Sequence, residues 1–166
     1  MPKQIKQRKI TGGEKAGCVM LIITMITGLL FAAAFIIFIP DIESDSRGLQ
    51  LSKAAALAVG YVLFILMSTA AAVVCLVTYK KSSQAGDLMR GFFAGMSAFL
   101  ALLCVRFMLA LFFSGLDKTD LVDKVIGDNT YSQFIENQAP AFACLVIGLS
   151  VMLFAGISGI VKLAKR

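Results

Sequence analysis

The sequence predicts an all-α integral membrane protein, an antiparallel four-helix transmembrane bundle with both termini in the cytoplasm. Three observations carry that expectation. Of the 166 residues, 58% are hydrophobic and only 16% charged, which is more apolar surface than a water-soluble domain of this size can hide. Four stretches reach the length of about 20 residues that a helix needs to cross the roughly 30 Å hydrocarbon core, where only a helix satisfies its own backbone hydrogen bonds. The Lys and Arg residues crowd the same side of all four stretches.

Residues 1–16 read as a basic cytoplasmic leader, disordered and broken by Gly12 and Gly13 ahead of the membrane. The first span, about 17–39, carries no charge and stops at Pro40, before Asp41, Glu43 and Asp45. It is too long for a cleaved signal peptide, whose apolar region runs about 7 to 15 residues, so it is expected to be a retained anchor. An outer loop, 40–53, leads to the second span, about 54–79, which ends at Lys80 and Lys81. The inner loop, 80–90, precedes the third span, about 91–115, whose one charged residue is Arg106. A long outer loop, 116–139, follows. The fourth span, about 140–161, opens at Pro140, a residue suited to a first helical turn because it lacks only an amide proton that turn leaves unbonded. A basic tail, 162–166, closes the chain. Domains would then be a leader, one membrane domain over 17–161, and this tail.

Charge sets the orientation. On the side expected to hold the termini lie Lys3, Lys6, Arg8, Lys9, Lys15, Lys80, Lys81, Arg90, Lys162, Lys165 and Arg166, with only Glu14 and Asp87 as acids. On the other side Arg47, Lys53, Lys118 and Lys124 face eight acids, from Asp41 to Glu136. Basic residues in short loops resist translocation, so the first side is expected to be cytoplasmic. The same residues suit an anionic leaflet, each adding up to about 1 kcal/mol of attraction near the surface. Anionic lipids and other membrane proteins are therefore the expected partners, and nucleic acid is not. The expected location is the cell membrane, plasma or bacterial inner.

Catalytic chemistry is thin. The chain has no histidine, which removes the usual general base and the commonest haem ligand. Cys18, Cys75, Cys104 and Cys144 are far apart in sequence, with no CxxC pair. No carboxylate falls inside a span, although proton-coupled carriers commonly place one there. No enzyme activity, cofactor or metal site is expected.

Arg106 is the one charged group in the predicted spans. At 1.5 Å per residue it lies about 22 Å from Gly91, slightly past the middle of its span. An arginine at a helix centre costs about 2.5 to 3.5 kcal/mol on insertion and does not escape by losing its proton. Three fates are open to it: snorkelling to the outer headgroups, pairing with an acid of the outer loops or of another subunit, or lining an anion pathway.

Lipid solvates leucine as well as a neighbouring helix does, so packing relies on small residues. Gly91 and Gly95 stand in GxxxG spacing on the third helix, and Gly148, Gly156 and Gly159 mark the fourth. Phe92, Phe93, Phe99, Phe107, Phe112 and Phe113 gather on the third helix and are expected to face lipid or a partner. In the long outer loop, Leu121, Val122, Val125 and Ile126 share a face opposite Asp117, Asp120 and Asp123. That pattern predicts a short amphipathic surface helix, ended by the turn at Gly127, with Tyr131 and Phe134 suited to the interface beyond it.

From these residues the expected function is a non-catalytic multi-pass membrane subunit, or an assembly or scaffold factor of a larger membrane complex. The alternative is a small oligomeric channel or carrier for an anion or amphiphilic solute, using Arg106.

Overall fold

The computed structural model describes residues 10–38, 47–116, 119–127, 133 and 137–164. The expected leader through residue 9, the acids Asp41, Glu43 and Asp45, and Tyr131 and Phe134 lie outside them. The described chain is helical throughout, in the order α1 (Gly12–Phe38), α2 (Arg47–Ser82), α3 (Ala85–Leu102), α4 (Val105–Gly115), α5 (Thr119–Ile126) and α6 (Ala139–Ala164). Three of these helices, α1, α2 and α6, are each long and apolar enough to cross a membrane. Together α3 and α4 meet the same test as a pair bent by 49°. This is the make-up of an α-helical, membrane-embedded protein.

The helices overrun the predicted spans, because a span ends where hydrocarbon ends whereas a helix ends where its backbone groups find other partners. At its start, α1 takes in Gly12 and Gly13, which were expected to break the chain. The reason is a capping box: Thr11 N and Oγ1 donate to Glu14 Oε2 at 2.7 and 3.0 Å, while the Glu14 amide donates back to Thr11 Oγ1. Two orphan amides of the first turn are satisfied reciprocally. The inner loop expected over 80–90 shrinks to Ser83 and Gln84, with Ser83 at a φ of 53° turning α2 back into α3. Lys162, expected in a free basic tail, is inside α6.

Packing forms a ring in which α1 lies on α2 and α6, and α3 lies on α2 and α6. We call the end with the Ser83 turn the turn end and the opposite one the α5 end. Beyond the bend α4 packs chiefly on α2 and α5. The two ends differ in filling. At the turn end small residues bring backbones together: Gly159 meets the Cys18 backbone, and a Cβ on Gly91 would stand 2.9 Å from Leu76 Cγ and 3.3 Å from the Ala72 carbonyl. Toward the α5 end the interior holds rings. Phe31 stacks on Phe64 at 6.4 Å and lies against Tyr61, and Phe35 reaches both Phe107 of α4 and Phe142 of α6.

Candidate functional site: a charge cluster, a broken helix and a capped surface helix

The polar chemistry of the described chain gathers at three places. The first is at the turn end. Glu14 and Asp87, each 3% exposed, are the two acids that the charge count set aside as a minority. Lys162 Nζ sits between them, donating to Glu14 Oε1 at 3.1 Å, Asp87 Oδ1 at 2.8 Å and Gln84 Oε1 at 3.3 Å. All three ammonium protons are thereby used. Arg90, one helical turn beyond Asp87, donates Nη1 to Asp87 Oδ1 at 2.9 Å and Nε to Ser158 Oγ at 2.9 Å. Ser82 Oγ donates to the second Asp87 oxygen. Two cations and two anions thus tie the start of α1, the α2–α3 turn and the last turns of α6 into one neutral network. Buried charge is tolerated only when it is paired and hydrogen-bonded in this way.

Within α3–α4 lies the second feature. No proline causes the break. The Cys104 amide bonds the Ala101 carbonyl at 2.9 Å rather than continuing the α-helical ladder to Leu100. Tyr61 of α2 inserts its hydroxyl, donating to the same Ala101 carbonyl at 2.6 Å. The Cys104 thiol donates to the Ala141 carbonyl of α6 and reaches back to that of Leu100. Side chains entering the ladder bend helices, and in an apolar medium every carbonyl released by the bend needs a donor. One turn away, Ser97 Oγ donates to the Gly148 carbonyl at 2.7 Å, a further link between α3 and α6. Thr24 bonds both its own helix at Met20 and the Met67 carbonyl of α2. Thr27, Thr69 and Ser150 return their protons to carbonyls four residues back, as hydroxyls in membrane helices commonly do. Among the described buried side chains, Ser68 Oγ has no hydrogen-bond partner.

Arg106 makes the third feature. Its Nε donates to the Val125 carbonyl at 2.8 Å and its Nη2 to the Ile126 carbonyl at 3.4 Å. These are carbonyls of the last turn of α5, where a cation is favoured by the helix dipole. Gly127, at a φ of 74°, ends α5 in the left-handed conformation that glycine adopts without steric cost. The amphipathic reading of α5 needs one correction. Ile126 is buried, with Val122 and Val125 packed on the core, but Leu121 is 37% exposed. A short helix presents only a narrow stripe inward, and Leu121 stands beside that stripe.

The glycines singled out by spacing lie at helix contacts. Gly91 and Gly95 of α3 face α2 at Leu76 and Ala72, Gly148 of α6 faces Ser97 and Leu100 of α3, and Gly156 and Gly159 face Met25 and Cys18 of α1. The phenylalanines divide. Phe92 and Phe99 are exposed as expected, whereas Phe107 is buried, its ring against Phe35 of α1.

Sequence reasoning passed over the roles of Glu14, Asp87, Lys162 and Cys104, and named Tyr61 only as a group able to donate or accept near Arg106. Local signals existed for two of them, the Thr11-x-x-Glu14 capping spacing and the Asp87–Arg90 i,i+3 pair. None existed for the rest, whose partners lie on other helices. No group of His, Cys, Asp and Glu among the described residues is arranged to hold a metal ion. What the fold and these features define is a polytopic α-helical membrane-embedded protein. No family model, curated protein or solved structure matches the chain.

Proposed function

We propose that this protein is a non-catalytic multi-pass membrane subunit or assembly factor, a four-span antiparallel bundle with both termini in the cytoplasm of a plasma or bacterial inner membrane, that binds other membrane proteins. One observation carries the reading. The charged and cross-helix hydrogen-bonding side chains described above act on the protein's own helices: the turn-end network joins α1, α3 and α6, Tyr61, Ser97 and Cys104 join α2, α3 and α6, and Arg106 holds α5. Such use of polar groups suits a body whose work is to present a shaped apolar exterior. That exterior carries large side chains, including Phe92, Phe99 and Phe154 at 59%, 61% and 63% exposure. The channel or carrier alternative draws less support, since it requires Arg106 to face a pathway and the guanidinium lies on the carbonyl end of α5.

The test is extraction of the native protein in mild detergent, followed by native electrophoresis and mass spectrometry. Migration with stoichiometric partner proteins is the expected result. A small species of identical chains would overturn the reading and direct attention to anion flux in liposomes, with Arg106→Leu as control. Orientation is tested separately by reporter fusions at the Ser83 turn and after residue 166, both expected to read cytoplasmic.

A further inference from the structure

Between the start of α3 and the end of α6, at the turn end, runs an open groove of about 520 Å³. Its wall changes character along its length. Phe154, Ile157 and Val161 supply its apolar surface, and Ser158, Lys162, Arg90 and Gly86 its polar surface. On α6 the lining residues Phe154, Ile157, Ser158, Val161 and Lys162 follow i, i+3, i+4, i+7, i+8 spacing, so they form one stripe about 12 Å long, mostly apolar and ending on the Lys162 cation at the turn end.

The turn-end network is neutral in sum but layered. Its acids lie deepest, with side-chain exposures of 2% for Glu14 and 4% for Asp87, whereas the cations are the outer members, at 14% for Lys162 and 15% for Arg90. The groove therefore meets positive groups first. Gln84, in the N-cap position of α3, makes no side-chain capping bond, and its carbonyl takes the Asp87 amide at 2.9 Å, so the amides of Ala85 and Gly86 add to the same field. Exposed Lys80 and Lys81 close α2 at this end.

We infer that this groove is a binding site for an anionic phospholipid of the leaflet at the turn end, its phosphate seated at Arg90 and the start of α3 and one acyl chain lying along Ile157 and Phe154. An amphiphile with a negative head matches both the apolar stripe of the wall and the cations at its end. The inference rests on the membrane-embedded reading but not on the subunit proposal, and holds whether or not partner proteins exist.

The test uses the purified full-length chain and native mass spectrometry during titration with phosphatidylglycerol or phosphatidylcholine. The wild type should retain phosphatidylglycerol in preference. Arg90→Gln should weaken that binding about tenfold, the loss expected for one charge-assisted hydrogen bond, and leave phosphatidylcholine unaffected. Because Arg90 also pairs with Asp87, a second variant guards against misfolding. A Cβ at Gly86 meets only the Arg90 guanidinium, at 3.4 Å, and Gly86→Glu places an acid in the first turn of α3 with an i,i+4 arginine, which favours the helix. It should keep the thermal midpoint and lose the anionic preference. Equal retention of both lipids by the wild type would overturn the site. So would a Gly86→Glu variant that still prefers phosphatidylglycerol, or loss of preference on Lys80→Gln/Lys81→Gln alone, which would assign it to the general basic surface.

Discussion

The turn end and the α5 end of this protein both place charge next to apolar surface, and the contacts described at each differ in reach. At the turn end, Glu14, Asp87, Arg90 and Lys162 come from three helices and neutralise one another, so each depends on the tertiary arrangement. At the α5 end, Arg106 donates to two carbonyls that close a neighbouring short helix. The turn-end network fastens three helices to each other, whereas the Arg106 bonds to the Val125 and Ile126 carbonyls fasten one short helix. The filling differs too: backbones approach at glycines at the turn end, and toward the α5 end the rings of Phe35, Phe107 and Phe142 meet.

If that contrast holds, the largest effect belongs to the network. Lys162→Met leaves Glu14 and Asp87 buried with a lost cation, and should cost about 3 to 5 kcal/mol in reversible unfolding from mixed micelles. Combining it with Glu14→Gln removes an anion as well and should recover much of the loss. No recovery would mean that the lysine acts by packing rather than by charge.

Arg106→Leu should behave otherwise. It removes charge-assisted hydrogen bonds of about 1.5 to 3 kcal/mol, but locally: amide exchange over 122–127 should accelerate at least about tenfold while the global unfolding midpoint stays put. A fall in the global midpoint equal to that of Lys162→Met would erase the distinction between the two ends.

Close approach is tested next, at Gly156. A Cβ there would lie 2.7 Å from both Cβ and Sδ of Met25, so Gly156→Leu should push α1 from α6 and cost about 1 to 3 kcal/mol. Gly12→Ala is its control, since nothing lies within 4 Å of that position; it should be neutral or stabilise α1 by up to about 1 kcal/mol.

Smallest of all is Tyr61→Phe, with a loss near 0.6 kcal/mol, roughly the average for a hydrogen bond between membrane helices. Its second readout is geometric. Spin labels at Phe99 and Phe112 should move apart as the 49° bend relaxes. An unchanged distance would assign the bend to Cys104 and the packing of α4.

How much of this was legible follows from the range of each interaction. Hydropathy marked α1, α2 and α6 because spanning a membrane is a property of one helix at a time. The surface helix α5 and its end at Gly127 were equally local, read from an apolar stripe and a turn glycine. The bend between Leu102 and Val105 was not legible. Its sequence, Ala-Leu-Leu-Cys-Val, contains no helix breaker, and the partners of its Ala101 carbonyl and Cys104 thiol on other helices come from as far as 40 residues away. Spacing flagged Gly91, Gly95, Gly148, Gly156 and Gly159 as small, but the neighbour each one meets depends on how four helices are arranged.

By itself, then, the sequence determined the solvent: a chain 58% hydrophobic with long uncharged stretches is placed in lipid by transfer energies that add along each helix. The tertiary structure alone decided what the few polar groups do. Glu14, Asp87 and Lys162 are separated by up to 148 residues and converge within 3.1 Å, and pairing between charges depends on distance in space, which composition and periodicity do not encode.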